Sequence, residues 1–254
     1  NRLARRHRVR LRQSYIRVAQ RAAMMAGRYA HAKQFNRHHR EVRFLRTRLG
    51  RLIRDIRRKI AGHEPVETAF EGPLSRASQI RSQRQRQRGR KLYSFHAPEV
   101  ESIGKGKARA PYEFGVKVSI VTTNACSPGG QFVLHAAALP GNPYDGHTLR
   151  TAIEDTQRLT GREIERVYVD KGYRGHDAPK PRSVFISGQK RGVFGAIKRE
   201  LRRRSAIEPL IGHMKEQGHL GRCYLKGHAG DAANATLTAA GYNFRRILAW
   251  LRIF

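Results

Sequence analysis

The sequence predicts an α/β protein: a mixed sheet with helices on its faces, preceded by an arginine-rich helical module. Three observations carry that prediction. Apolar residues recur at helical spacing in the first 60 residues, at strand spacing from 114 to 120, and in short runs that stop at glycines, as in VYVDKGYRG. Each pattern fixes the face an element can bury. Their order gives helices, hairpin strands, a crossover helix, further strands and flanking helices.

Leu11, Tyr15, Val18, Ala22, Met25 and Tyr29 alternate by four and three, one face of a helix from Leu11. Leu45, Leu49, Leu52, Ile56 and Ile60 form a second such face. The same 60 residues hold 20 Lys and Arg against Glu41 and Asp55, a net charge of +18. Two helices joined by these faces make a basic hairpin, suited to nucleic acid or simply to solvent. Residues 61–92 change character. Gly62, Pro65, Gly72 and Pro73 precede RSQRQRQRGRK at 81–91, which has little apolar surface and reads as a linker or an arm ordered by phosphates.

Residues 93–254 read as the sheet-bearing part. Phe114, Val116, Val118 and Ile120 alternate with Gly115, Lys117 and Ser119 as one strand, Gly129-Gly130 is a turn, and Gln131 to Ala138 supplies the neighbouring strand. A helix is expected near Thr148 to Leu159, capped by Thr148 or Asp145. Strands follow at Ile164 to Val169 and at Val184 to Ile186. The chain then turns helical from about Ile197 through Lys215. A last helix, Asp231 to Leu251, has Leu237, Ala240, Phe244, Ile247, Leu248 and Leu251 to pack on the sheet, and Phe132, Tyr168, Phe185 and Trp250 read as core.

The charge narrows the function. Fifty-two Lys and Arg against 19 Asp and Glu give +33, which calls for an anionic partner, and nucleic acid answers a dense array of cations best. A membrane surface fits poorly, because the basic helices lack an inserting aromatic face. No apolar run approaches the ~20 residues that span a bilayer, and no secretory signal pattern is visible. Cys126 and Cys223 do not form a ligand-type pair, which argues for a reducing, cytoplasmic setting.

Asp170 ends a buried strand and opens a loop with Lys171 and Arg174, so it reads as a ligand carboxylate or as a cap on the turn before Gly172. In RRRSAIEPLIGHMK, Arg204 and Glu208 are four apart, and Lys215, seven further on, returns to nearly the same face. That stripe sets a carboxylate between two cations, as a phosphodiester reaction needs, or else Glu208 is a surface partner of Arg204. Pro209 weakens the face argument if the helix begins there. The pairs His38-His39 and His213-His219 lack zinc spacing, His147 and His176 lie in loops that could approach Asp170, and Gly104 and Gly106 lack P-loop spacing.

These blocks resemble the bacterial insertion-sequence transposases of the DDE superfamily. The matching text is YEFGVKVSI at 112–120, LPGNPYDGHTL at 139–149, VYVDKGYRGH at 167–176, VFISGQKRG at 184–192, RRRSAIEPLIGHMK at 202–215 and GDAANATLTAAGYNF at 230–244. One branch has a third motif of Tyr, two residues, Arg, three residues, Glu, six residues, Lys; here Leu201 replaces the tyrosine, and Arg204, Glu208 and Lys215 keep the spacing. The resemblance implies an RNase H-like fold and assigns Asp170 and Glu208 as catalytic, Mg²⁺-binding carboxylates, with Mn²⁺ as a substitute. Arg204, Lys215, Lys171 and Arg174 would contact DNA phosphates. It also implies double-stranded DNA as partner, both transposon ends and target, a homodimer in a synaptic complex, and a nucleoid-associated place in the cytoplasm.

The family's first aspartate lies on a core strand ahead of the helical insertion, and neither Asp55 nor Asp145 has that context. The chain therefore reads as the C-terminal portion of such an enzyme: insertion at 1–60, basic linker at 61–92, and an RNase H-like domain, incomplete at its first strand, at 93–254. Cleavage by this chain is not expected, and another residue, Asp145 for example, would have to complete the site if cleavage occurred. The alternatives are a DNA-binding remnant without catalysis, and a basic RNA-binding or ribosome-associated protein with structural acids.

Overall fold

The structure, a computed structural model, describes residues 1–254 except 86, 90, 106–110, 126–127, 181–182 and 252–254. Cys126, Gly106 and part of the 81–91 run thus lie outside the described residues. Two units result, residues 1–96 and residues 97–254.

The first unit is helical: α1 (Arg2–Arg6), α2 (Ile16–His31), α3 (Phe35–Ile60) and α4 (Glu64–Ser82). Ile53, Ile56 and Ile60 bury the apolar face of α3 against Phe70 and Leu74 of α4 and Ala4 of α1. Against α2, contact runs through small residues, since Ala22 and Ala26 are buried whereas Val18 is 47% exposed. Helix α2 also starts later than the sequence spacing predicts. Tyr15 takes a positive φ of 53°, and the segment before it is tied down by Asp55, whose Oδ2 accepts the Arg12 backbone N–H at 2.9 Å.

Much of the expected linker is helix α4. Pro65 sits in its first turn, where a missing N–H costs nothing. Glu64 and Glu67 favour the helix N-terminus, and Val66, Phe70, Leu74 and Ala77 form a face against the core. Pro73 lies inside the helix.

In the second unit, β1 (Glu101–Gly104) pairs antiparallel with β2 (Tyr112–Gly115), and β3 (Lys117–Thr122) pairs antiparallel with β4 (Val133–Leu139). Helix α5 (Leu149–Thr160) leads to β5 (Arg166–Val169), which runs parallel to β6 (Ser183–Ile186). Helices α6 (Gly195–Arg203), α7 (Ile207–Glu216) and α8 (Gly227–Leu251) complete the described chain. The unit is mixed α/β, but its described strands form three two-stranded ladders in place of one sheet. The single strand expected over 114–120 is split at Gly115, whose φ of +150° suits glycine and lets the chain change ladder partner.

Helix α8 packs by its small face. Ala235, Thr238, Ala239 and Tyr242 are buried, while Leu237, Phe244, Trp250 and Leu251 are more than half exposed, contrary to the core roles expected of them. Asn243 sets this rotation. Its amide accepts the Val133 N–H at 2.9 Å and donates to the Val133 carbonyl at 2.8 Å, locking the helix to the start of β4. No described helix is long and apolar enough to cross a membrane.

Candidate functional site

The strand that delivers Asp170 is positioned from beneath. Val169 is buried with Leu149 and Ile153 of α5, and its register with Ile186 puts both strand ends at the same level. Asp170 itself is exposed. Its Oδ1 accepts the Lys171 backbone N–H at 2.7 Å and so caps the 3₁₀ turn Lys171–Tyr173. The capping role read as one alternative from sequence is therefore present in the geometry.

A second loop closes on this turn. Residues Asp145–Thr148 form a 3₁₀ turn ahead of α5, and Lys117 Nζ of β3 lies 3.0 Å from Asp145 Oδ1. The other oxygen of Asp145 rests against Gly172, where a Cβ would stand 2.6 Å from Oδ2. Tyr144 donates its hydroxyl to the Arg174 carbonyl at 2.6 Å, and the Asp177 N–H donates to the Gly146 carbonyl at 3.0 Å. His147 stacks edge-on against Tyr144, so this histidine belongs to the same corner. Burial, then the charge of Asp145, pushes the Tyr173 phenol above its ordinary value; a bond with Thr148 opposes this, and the charge of Asp170 adds to it. Asp145, Tyr173 and Asp170 thus share one corner, although sequence context sets Asp145 aside. The signal was a carboxylate directly before a helix that follows a strand.

Glu208 occupies the first turn of α7. Pro209 supplies no N–H, and the helical run relaxes to a 3₁₀ turn at Arg204–Ala206 just before it. The Arg204 guanidinium still reaches Glu208 Oε1 at 3.9 Å, with Arg204 only 15% exposed and Glu208 75% exposed. Lys215 finds a different partner, Glu113 Oε2 of β2 at 3.7 Å. Seven residues advance a helix by roughly 10 Å, which explains why sharing a face does not bring Lys215 to Glu208. Glu113 also binds Lys105 at 2.9 Å, and that hydrogen bond is the largest cause holding its carboxyl below the ordinary range. Lys171 and Arg174 are exposed beside Asp170, with the stem of Lys171 crossing Gly188.

Helix α6 is tied to β5 by groups that sequence patterning gave no reason to pair. Tyr168 donates to Glu200 Oε2, and Arg166 lies 3.7 Å from Glu200 Oε1. Burial first, then the Glu200 contact, raises the Tyr168 phenol to about 12. Arg203 donates to the Asn124 carbonyl at 2.9 Å, fixing the approach to Glu208.

Carboxylate oxygens suit a hard divalent cation. Among the described residues, however, no group of three or more His, Cys, Asp or Glu could hold a metal ion. Asp170 and Glu208 do not complete a site by themselves.

Comparison with known families finds a match to the transposase DDE domain over residues 189–248. Neither the curated proteins nor the solved structures return a match. The matched segment holds Arg204, Glu208 and Lys215 and ends within α8; Asp170 precedes it. Over residues 189–248 the chain is similar to the transposase DDE domain family.

Proposed function

We propose that the chain is a DNA-binding, transposase-derived DDE domain, the family's reaction being divalent-metal-dependent DNA end cleavage and strand transfer. The observation that carries this reading is the transposase DDE match around Glu208 in a chain of net charge +33. Asp170 and Glu208 would hold Mg²⁺ or Mn²⁺, which when bound neutralises charge on the phosphodiester and activates the attacking oxygen.

The chain's own residues have distinct parts in this reading. Lys171 and Arg174, exposed at the Asp170 corner, contact DNA phosphates. Arg204, mostly buried, holds Glu208 in place, and Lys215 reaches phosphate by exchanging its Glu113 partner. The Lys117–Asp145 pair fixes the loop that carries Asp170. The substrate is duplex DNA, transposon ends and target, engaged by a homodimer.

A reading without catalysis draws on two contacts, Asp170 capping the Lys171–Tyr173 turn and Glu208 facing Arg204 at 3.9 Å. Both readings require DNA binding, and titration of the chain with duplex DNA tests it. With about six to ten phosphate contacts, affinity falls roughly 10³ to 10⁵ fold between about 50 and 200 mM salt. A change below about threefold over that range contradicts the proposal.

A further inference from the structure

We infer that the groove between α3 and α4 is a phosphate-binding groove that receives a nucleic-acid backbone on Arg43, Arg46 and Arg81. This rests on the DNA-binding reading above and says where one part of the backbone lies. The groove has a volume of about 570 Å³, and among the described residues its lining, which includes His39, Arg43, Arg46, Thr47, Arg81 and Ser82, holds no carboxylate. The charge is segregated. Another groove along α4, of about 530 Å³, is lined by Glu64, Glu67 and Glu71 with Arg57.

Two contacts hold the cations in place without a ligand. Arg46 donates from Nε and Nη2 to the Arg81 carbonyl at 3.2 and 2.8 Å, which places its charge at the C-terminal end of α4. Arg81 lays its guanidinium across α3 at Gly50, where a Cβ would stand 2.6 Å from Nε. Glycine in a helix interior is less stable than alanine, so Gly50 gives up helix stability for this crossing. The hydroxyls are occupied, Thr47 donating to the Arg43 carbonyl and Ser82 to the Gln79 carbonyl. Guanidinium N–H groups therefore supply the donors, and their repulsion is relieved by an anion rather than by the protein's acids. Arg43, Arg46 and Arg81 are all exposed. In so open a groove water weakens a single ion pair, which favours a polyanion whose successive phosphates engage several arginines at once.

The test measures duplex-DNA affinity against salt for the whole chain and its variants. Arg43→Gln and Arg81→Gln should each lower the slope of log K against log salt by about 0.9, and the double substitution by about 1.8. Gly50→Ala should weaken DNA binding while leaving the unfolding midpoint equal or higher, because its methyl displaces Arg81 but favours the helix. Arg57→Gln, in the acid-lined groove, should leave the slope unchanged. If the wild type binds DNA steeply but the double variant keeps the full slope, the groove is overturned and the DNA-binding reading stands. Equal losses from Arg57→Gln and from either groove variant also overturn it, because net charge alone would then set affinity. If the wild type ignores duplex DNA, the functional reading fails and the backbone ligand with it. Inorganic phosphate at matched ionic strength then distinguishes a free-anion site, which raises the midpoint of the wild type but not of the double variant, from no site.

Discussion

Lys117 Nζ lies 3.0 Å from Asp145 Oδ1, and the other oxygen of the same carboxylate rests against the backbone of Gly172. A lysine on β3 therefore governs, through one acid, the turn that follows Asp170. Because Lys117 restrains Asp145, a methyl at position 172 meets a carboxylate that cannot swing away freely. Gly172→Ala should cost about 1 to 3 kcal/mol by overpacking. Urea unfolding of a double-mutant cycle checks this, with the penalty largely gone when Asp145 is already alanine.

Asp55 should behave as a structural acid. Its carboxyl is held below the ordinary range, first by the Arg12 backbone N–H and then, against the cost of burial, by Lys59 and Arg58. A folded-state value below the unfolded one gives stability that is present above about pH 4 and lost as pH falls through the folded value. Asp55→Ala should cost about 1 to 3 kcal/mol at neutral pH, since the Arg12 donor is left without its acceptor. Thermal unfolding across pH should show the wild type losing its advantage over the variant on acidification.

His135 should make the second unit sensitive to mild acid. It lies on β4 with its side chain 10% exposed, 3.6 Å from Asp155, and burial lowers its basicity more than the acid raises it. Below about pH 6.5 the unfolded chain takes up this proton more readily than the folded one, so stability declines as pH falls through that region. Proton NMR should place the His135 midpoint below that of an exposed histidine. Asp155→Asn should lower it further by removing the group that opposes burial.

Glu208 should matter little to the fold. Its carboxylate is 75% exposed and its bridge to Arg204 spans 3.9 Å, a pair worth about 0 to 1 kcal/mol. Glu208→Gln should therefore shift the unfolding free energy by less than about 1 kcal/mol. A larger loss would make the residue structural.

Regular patterns were legible in the sequence where one residue type dominates a face. Ile56 and Ile60, Val169 before Asp170, and Leu149 to Leu159 behind the Asp-Gly-His-Thr turn lie in the kind of element the spacing predicts. Failures came where a backbone detail outweighs periodicity. Gly115 divides a clean alternation into two ladders, and Tyr15 starts α2 a turn later than the apolar spacing predicts. The rotation of α8 depends on Asn243, a polar residue that hydropathy patterning does not read. At the site, Arg204 and Glu208 meet as their spacing requires, whereas Lys215 is drawn to Glu113 from a strand about a hundred residues away. The Asp145–Gly172 contact depends on two loops closing, which no local pattern records.

The central claim is that Asp170 and Glu208 are metal ligands rather than only a turn cap and a surface partner. Thermal unfolding of the intact chain with and without Mg²⁺ or Mn²⁺, in the wild type, Asp170→Asn and Glu208→Gln, tests it most directly. An ion that binds the folded state alone stabilises it by about 1.4 kcal/mol at ten times its Kd. The wild-type midpoint should rise with the metal, and both substitutions should abolish that rise. An equal rise in all three proteins would contradict it and leave Asp170 as the cap of the Lys171–Tyr173 turn.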